Sequence, residues 1–431
     1  MNNAQKMAGR SGNETTPRRA NGCGCRRIAF AMATGATLNF FVSPSVFGDG
    51  FRNSTIGGFD LGRSGGRIAQ VDDSTAAIQN PANLVDVTNL ELNFTPSFIY
   101  DHASFKSVTG VSVDSKNPWK ALPDFTASMP LGSNYAVGFA FTIPYGIATE
   151  WNTDIGGPFR PASGPGLAPY FTELKTFNFS PSFSAKICEH LQLGVGLDVM
   201  YSHLRFNQFL NGTPSLEAEA VGMGWGFGGN AGLTWEITDR QRLALTYRSP
   251  MTVDFGGDLK FTGLENAATS FNSQIVFPTI VAIGYGYQIT ENIRVESDLE
   301  WIEFSRFKTL PVNVGPNPFV PSSSTPENWK NTITIGVGGD WKFAREWTVR
   351  GGYQYFQSPV PDNTLTPTIP DANQNVLTVG LNYHHQHHTL EFAYGLDFYD
   401  HRNAAGNPNP ALNGSYDFDV HLFTLSYRYS F

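Results

Sequence analysis

The final nine residues, Phe423 to Phe431, alternate apolar and polar without a break. Phe423, Leu425, Tyr427, Tyr429 and Phe431 share one face, and Thr424, Ser426, Arg428 and Ser430 share the other. A side-chain period of two is the signature of a strand. The same alternation recurs upstream. Leu191, Leu193, Val195, Leu197 and Val199 oppose Gln192, Gly194, Gly196 and Asp198, and Leu390, Phe392, Tyr394 and Leu396 oppose Glu391, Ala393, Gly395 and Asp397. Short polar turns at 132–134, 188–190, 238–241, 290–292, 344–346 and 386–388 alternate with long Pro/Gly/Asn-rich segments at 151–173, 313–327, 358–373 and 403–413. Short turns on one rim and long loops on the other describe an up-and-down transmembrane barrel. Counting segments from about 91–105 through 414–431 predicts fourteen antiparallel strands, an even number that leaves both ends on the periplasmic side. Trp235, Trp341 and Trp347 fall beside short turns and Trp151, Trp301 and Trp329 toward the loops, which predicts two interfacial girdles.

Composition agrees with a membrane strand protein. Charged residues make up 15%, against about 25% in soluble domains, while 44 glycines and 13% aromatics run high. No apolar run reaches the ~18 residues of a spanning helix. The polar face of the strands is rich in glycine, which suits a barrel interior filled by something else. A net charge of −8 argues against nucleic acid as a partner. Arg18, Arg19, Arg26 and Arg27 precede a moderately apolar stretch, Ile28 to Val42, so residues 1–48 read as an export signal cleaved near Gly48. Cys23 and Cys25 lie in that leader and Cys188 stands alone, which leaves no disulfide framework and no metal spacing. His384, His385, His387 and His388 straddle a periplasmic turn and read as a solvated turn.

Residues 49–90 do not alternate. A glycine-rich run, Ile56 to Gln70, leads into Val71-Asp-Asp-Ser-Thr-Ala-Ala-Ile-Gln-Asn-Pro-Ala-Asn-Leu84. Asp73 or Ser74 is placed to cap a short helical turn over 75–78, ended at Asn80-Pro81. Asp72-Asp73 with Ala76-Ala77 and Asn80-Pro81-Ala82 resembles the N-terminal hatch of FadL-type outer-membrane transporters of long-chain fatty acids and hydrocarbons. Phe141 to Trp151 resembles that family's third strand. Thr246 to Ser249, Phe277-Pro278 with Trp301 to Ser305, Arg350 to Gly352, Ser358 to Asp362 and Ile369 to Asp371 are similar to its later strands. The resemblance implies a hatch over 49–90 folded into the lumen of a fourteen-stranded barrel at 91–431, and Asp72, Asp73, Asn80, Pro81 and Ala82 are its expected hatch residues. One departure stands out: the connection after the fifth strand is only about Asn211 to Leu216, where well-studied members carry a long excursion.

Pro144 sits within a strand, where proline removes a ladder donor, so a local gap in the wall is expected there. In the family a third-strand kink makes a lateral exit, and Pro144-Tyr145-Gly146 occupies that place. Parity puts Asp198, Arg248, Arg294, Glu296, Asp298, Glu300, Asp340, Lys342, Arg350, Glu391 and Asp397 in the lumen, since a mid-depth charge facing lipid costs roughly 2–4 kcal/mol. Most of them read as mutual ion pairs. Arg248 and Arg350 together are candidates for a ligand carboxylate. The expected activity is uptake of a hydrophobic molecule, either a fatty acid or an aromatic hydrocarbon. A general porin and an outer-membrane lipase are the competitors, and no G-x-S-x-G elbow supports the latter. No cofactor is expected. Expected partners are the hydrophobic ligand, outer-membrane lipid and lipopolysaccharide, and the barrel-assembly machinery through terminal Phe431. The barrel is expected to be monomeric.

Overall fold

The computed structural model describes residues 49–53, 58–263 and 267–431; the expected export signal lies outside them. Fourteen barrel strands follow in chain order. They are β1 (Glu91–Ser107), β2 (Trp119–Pro130), β3 (Tyr135–Thr142 and Gly146–Glu150), β4 (Phe171–Cys188), β5 (Leu191–Gly212), β6 (Ser215–Thr238), β7 (Gln241–Arg248 and Met251–Gly263), β8 (Ala267–Phe277 and Ile280–Thr290), β9 (Ile293–Ile302), β10 (Thr332–Lys342), β11 (Trp347–Phe356), β12 (Gln374–His385), β13 (His388–Tyr399) and β14 (Gly414–Ser430). Each pairs antiparallel with its neighbours, and β1 closes on β14 from Glu91↔Ser430 to Ser107↔Gly414. Closure of β1 on β14 removes the sheet's open ends, as a strand protein in lipid requires.

β3, β7 and β8 are each interrupted at a proline: Pro144, Pro250 and Pro278. At the last two the break also reverses the faces. In lower β7 Ala244 is buried inside and Leu245 and Tyr247 are exposed; above Ser249-Pro250 it is Met251, Val253 and Phe255 that are buried, and Asp254 and Asp258 face out. In β8 Ala282 is buried below the break and Phe271, Ile275 and Phe277 above it, an odd step that moves the opposite set of residues inward. A one-residue slip changes the face of every later side chain.

The barrel therefore has two storeys. The lower one shows lipid an exposed band that includes Leu197, Phe227, Ile283, Ile335, Leu381 and Phe392. The upper one is polar outside and apolar inside, with a continuous buried cluster of Phe105, Met200, Leu204, Val253, Phe255, Phe261, Phe271, Phe277 and others. This corrects the expected aromatic girdles. Trp235, Trp341, Trp347 and Trp301 do face outward, but Trp151 and Trp329 are 0% and 3% exposed and belong to the interior cluster. β5 and β6, at 22 and 24 residues, run well past the ~10 residues a tilted crossing needs, and they join through Thr213-Pro214 alone.

Candidate functional site

The segment before β1 packs against the inward face of the lower storey, and the glycines there make room for it. A Cβ on Gly194 would strike the backbone of Pro81 and Ala82, one on Gly338 the backbone of Arg63, and one on Gly352 the backbone of Ser64; Gly380 lies against Gly62. Electrostatics fix the same segment. β9 turns Glu296, Asp298 and Glu300 inward. Arg63 pairs with Glu296 and Asp340, each at 2.9 Å, Arg67 with Glu300 at 3.0 Å, and Arg52 with Glu300 at 2.7 Å. Backbone N–H groups of Arg67, Ile68 and Gln70 donate to Asp298 and Glu296 at 2.7, 2.6 and 3.0 Å. Six of the lumen charges pair with one another across strands as the sequence suggested, Arg248 with Asp198, Arg294 with Asp340 and Arg350 with Glu391, while Glu296, Asp298 and Glu300 are met by the N-terminal segment. Arg52, Arg63 and Arg67 were missed; three successive inward carboxylates on β9 were the signal that they needed cations.

The expected hatch residues take distinct places. Asp72 accepts from Arg294 at 2.6 Å. Burial pushes the Asp72 carboxyl up, but the Arg294 guanidinium overrides it and holds it well below the usual carboxylate range. Asp73 pairs with Arg428 and accepts from the Thr75 N–H at 2.9 Å. The helix itself begins at Ala76, one residue later than expected, with no side-chain cap on Thr75. Asn80 accepts from the Ala82 N–H at 3.1 Å and donates to Thr234 Oγ1 at 2.9 Å, Pro81 lies on Gly194, and the Ala82 carbonyl accepts from Ser184 at 2.7 Å. Asp60, in the same segment, is pushed up to about 7 by burial, which nearby Arg67 offsets only in part.

Pro144 marks a break in the ladder. Below it β3 pairs with β2 from Phe125↔Phe141 to Pro130↔Ala136. Above it Gly146–Glu150 pairs with β4 alone, and among the described residues nothing pairs it to residues 119–124 of β2. The chain closes again higher up, where Ser115 bridges Trp151 and the Lys116 N–H donates to Glu150 O at 2.6 Å. Residues 51–53 supply the missing strand from inside: the Asn53 N–H donates to Pro144 O and the Gly146 N–H to Phe51 O, both at 2.8 Å. Phe51 sits in a cage of rings, with centroids 5.9 Å from Tyr145, 5.4 Å from Phe277, 5.8 Å from Phe304, 5.5 Å from Phe307 and 5.0 Å from Trp329.

Behind Pro144 and Tyr145 lies a cavity of about 100 Å³ lined by Arg52, Asp60, Arg67, Ile78, Arg248, Ile280 and Glu300 among others. That is below the ~300 Å³ at which small-molecule pockets begin. Arg248 lines it and pairs with Asp198 at 2.8 Å. Arg350 does not. It is bound to Glu391, lies 4.5 Å from the Phe59 ring centroid, and borders a separate periplasmic cavity of about 430 Å³ with Arg294 and Lys342. The structure does not bring Arg248 and Arg350 together on one ligand. At the His384–His388 turn, His385 Nδ1 lies 2.7 Å from Glu346, and no group of three His, Cys, Asp or Glu suited to a metal occurs among the described residues.

A family model described as outer membrane protein transport protein (OMPP1/FadL/TodX) matches residues 40–431. The long-chain fatty acid transport protein of Escherichia coli O6:H1 is 23% identical over 408 residues, covering 83% of this chain and 88% of that protein. Its counterpart from Salmonella typhi is 25% identical over 403 residues, covering 83% and 89%. Among solved structures, a Pseudomonas aeruginosa FadL homologue superposes with a TM-score of 0.78 at 20% identity over 89% of this chain and all of that one. The Ralstonia pickettii toluene transporter TbuX gives 0.68 at 18% identity over 88% and 99%. The barrel is a bacterial outer-membrane protein, and the chain belongs to the outer-membrane transport family of OMPP1, FadL and TodX.

Proposed function

We propose that this barrel takes up hydrophobic compounds from the cell surface and releases them sideways into the outer membrane through the gap between β2 and β3. The observation that carries the reading is the loss of pairing above Pro144, bounded below by Phe125↔Phe141 and above by the Ser115–Trp151 bridge. A lipophile cannot cross the wet lipopolysaccharide layer by partition alone. The upper storey offers it an apolar interior, and desolvation of that interior rewards entry by about 25 cal/mol per Å² of apolar surface buried. The lower lumen is filled by the N-terminal segment, tied down by Arg52, Arg63 and Arg67, so a lateral exit is shorter than a periplasmic one. Residues 49–90 serve as a plug in this reading.

Long-chain fatty acids and monoaromatic hydrocarbons are both within the range that the named relatives suggest. Uptake of labelled oleate and labelled toluene, side by side in cells lacking their own hydrophobic transporter, tests the reading. Uptake of either supports it; uptake of neither by a properly inserted barrel overturns it.

A further inference from the structure

The wall is interrupted a second time, between β6 and β7. The two strands pair from Thr238↔Gln241 up to Asn230↔Arg248, and again from Gly256↔Met223 to Gly263↔Leu216. In the interval residues 224–229 of β6 face residues 249–255 of β7, and no register pair joins them among the described residues. One more residue lies on β7 than on β6 there, which is the slip that reverses the faces of β7. Ser249 closes the lower end: its N–H donates to Gly229 O at 2.8 Å and its Oγ accepts from the Gly229 N–H at 2.9 Å. Above Ser249 the pairing is lost for roughly 20 Å at ~3.3 Å per residue.

The seam lies at lipid depth. Trp235 and Trp225 both face outward, and the ~10 residues between them make one tilted crossing, so the seam below Trp225 falls in the outer half of the bilayer. Backbone left out of a ladder at that depth has to be covered by protein or line a cavity. The cover here is thin. β6 turns only Gly224, Gly226 and Gly228 inward over this stretch, with Trp225 and Phe227 exposed on the other face. A Cβ on Gly224 would lie 2.7 Å from Val253 Cγ1 and strike the Asp254 carbonyl, one on Gly226 would lie 2.8 Å from Val253 Cγ2, and one on Gly228 2.7 Å from Met251 Cγ. Val253 and Met251 therefore lie against the glycines from inside. Both belong to the apolar cluster of the upper storey, with Phe255, Phe271 and Phe277, so a lipophile reaches them without leaving apolar surface. At the foot of the seam the cavity of about 100 Å³ touches Asn230 and Arg248, and across it lie Pro144 and Tyr145.

The two interruptions are closed by different means. At Pro144 the backbone of residues 51–53 is hydrogen-bonded across the break, so opening there displaces the N-terminal segment. Between β6 and β7 the inner cover consists of side chains of the wall itself, and rotation of a methionine and a valine uncovers the glycines. We infer that the β6–β7 seam is a second lateral door for the hydrophobic cargo, with Met251 and Val253 as its leaf, and that it opens without moving the N-terminal segment. Shut by that leaf, it carries the smaller share of release and remains as the residual route when the gap at Pro144 is repaired. The inference rests on the uptake reading, and experiment separates the two.

The test uses labelled oleate and labelled toluene in cells expressing the full chain, with barrel insertion checked by heat-modifiable migration. Adding Met251→Ala and Val253→Ala to Pro144→Ala removes the leaf, and uptake of the wild type's preferred probe is expected to rise at least threefold above Pro144→Ala alone. Single-channel conductance is expected to stay low, because the N-terminal segment is untouched. No gain in the inserted variant overturns the second door, and so does a gain accompanied by raised conductance, which would place the leak at the plug. The complementary variant joins Gly226→Cys to Val253→Cys in a Pro144→Ala, Cys188→Ser background, where Cys188 is the free cysteine to be removed. Oxidation, with the cross-link confirmed by mass spectrometry, is expected to abolish the residual uptake, and dithiothreitol to restore it. Equal uptake by the oxidised and reduced forms of that one protein overturns the door whatever the variant does to stability. Failure of the wild type to take up either probe would instead bring down the uptake reading itself.

Discussion

The two storeys of the lumen handle buried charge in opposite ways. In the lower one, Glu296, Asp298, Glu300 and Asp340 each meet a guanidinium or a backbone N–H from the N-terminal segment, and inward glycines let that segment lie against the wall. In the upper one the interior is aromatic and aliphatic; Glu327 accepts from the Trp329 indole at 3.1 Å and Asp371 from the Ser358 hydroxyl at 2.5 Å, neither from the N-terminal segment, and burial pushes each to about 8. The lower storey is built to hold one specific occupant, which is the chain itself. The upper storey presents an apolar interior instead. The division falls at the level of the three proline breaks, where pairing is lost or the faces reverse.

The contrast can be broken most severely by removing the occupant. Deleting residues 50–84 is expected to raise single-channel conductance in planar bilayers to that of an open, water-filled barrel; unchanged conductance would mean the segment does not plug the lumen. Next in size is Glu296→Ala, which leaves Arg63 half paired and strips the acceptor from the Ile68 and Gln70 N–H groups. Breaking a buried pair costs about 3–5 kcal/mol, so frequent channel openings are expected where the wild type stays closed.

Glycines sharpen the comparison further. Gly352→Val drives a side chain into the backbone of Ser64, an overpacking cost of about 1–3 kcal/mol. Gly256→Ala, in the upper storey, meets nothing nearer than Asn272 at 3.7 Å and is expected to be silent in the same conductance assay. The smallest effect concerns pH. Asp60 is raised in the docked segment to about 7 from an ordinary 3.8. It binds its proton more tightly when docked, so docking is expected to strengthen as pH falls from about 7 toward 4 and then level off. Asp60→Asn should flatten that dependence of open probability.

Much of this was legible in the sequence because a strand declares itself by a period of two. The strand count, the short and long rims and the glycine-rich inner face follow from that period, and the break at Pro144 from the ladder donor that proline lacks. What it hid were the reversals at Ser249-Pro250 and Pro278-Thr279. Each shifts the register by an odd step, so a parity carried up from the lower strand assigns Val253 and Phe255 to the wrong face. Trp151 and Trp329 were misplaced for a related reason: position near a loop says how high a residue sits but not which way it points. Arg52, Arg63 and Arg67 were illegible because their segment has no period, and their partners on β9 lie more than 200 residues away. Arg248 and Arg350 share a face by parity, but parity carries no information about position around the circumference.

Pro144→Ala is the decisive variant, because it touches the break and leaves the storeys alone. It restores a ladder donor between β2 and the upper half of β3 while keeping the Phe51 cage and the lower ion pairs. With the barrel correctly inserted, uptake of the wild type's preferred hydrophobic probe is expected to fall severalfold while ion conductance stays low. Full uptake in that variant would contradict release through the wall.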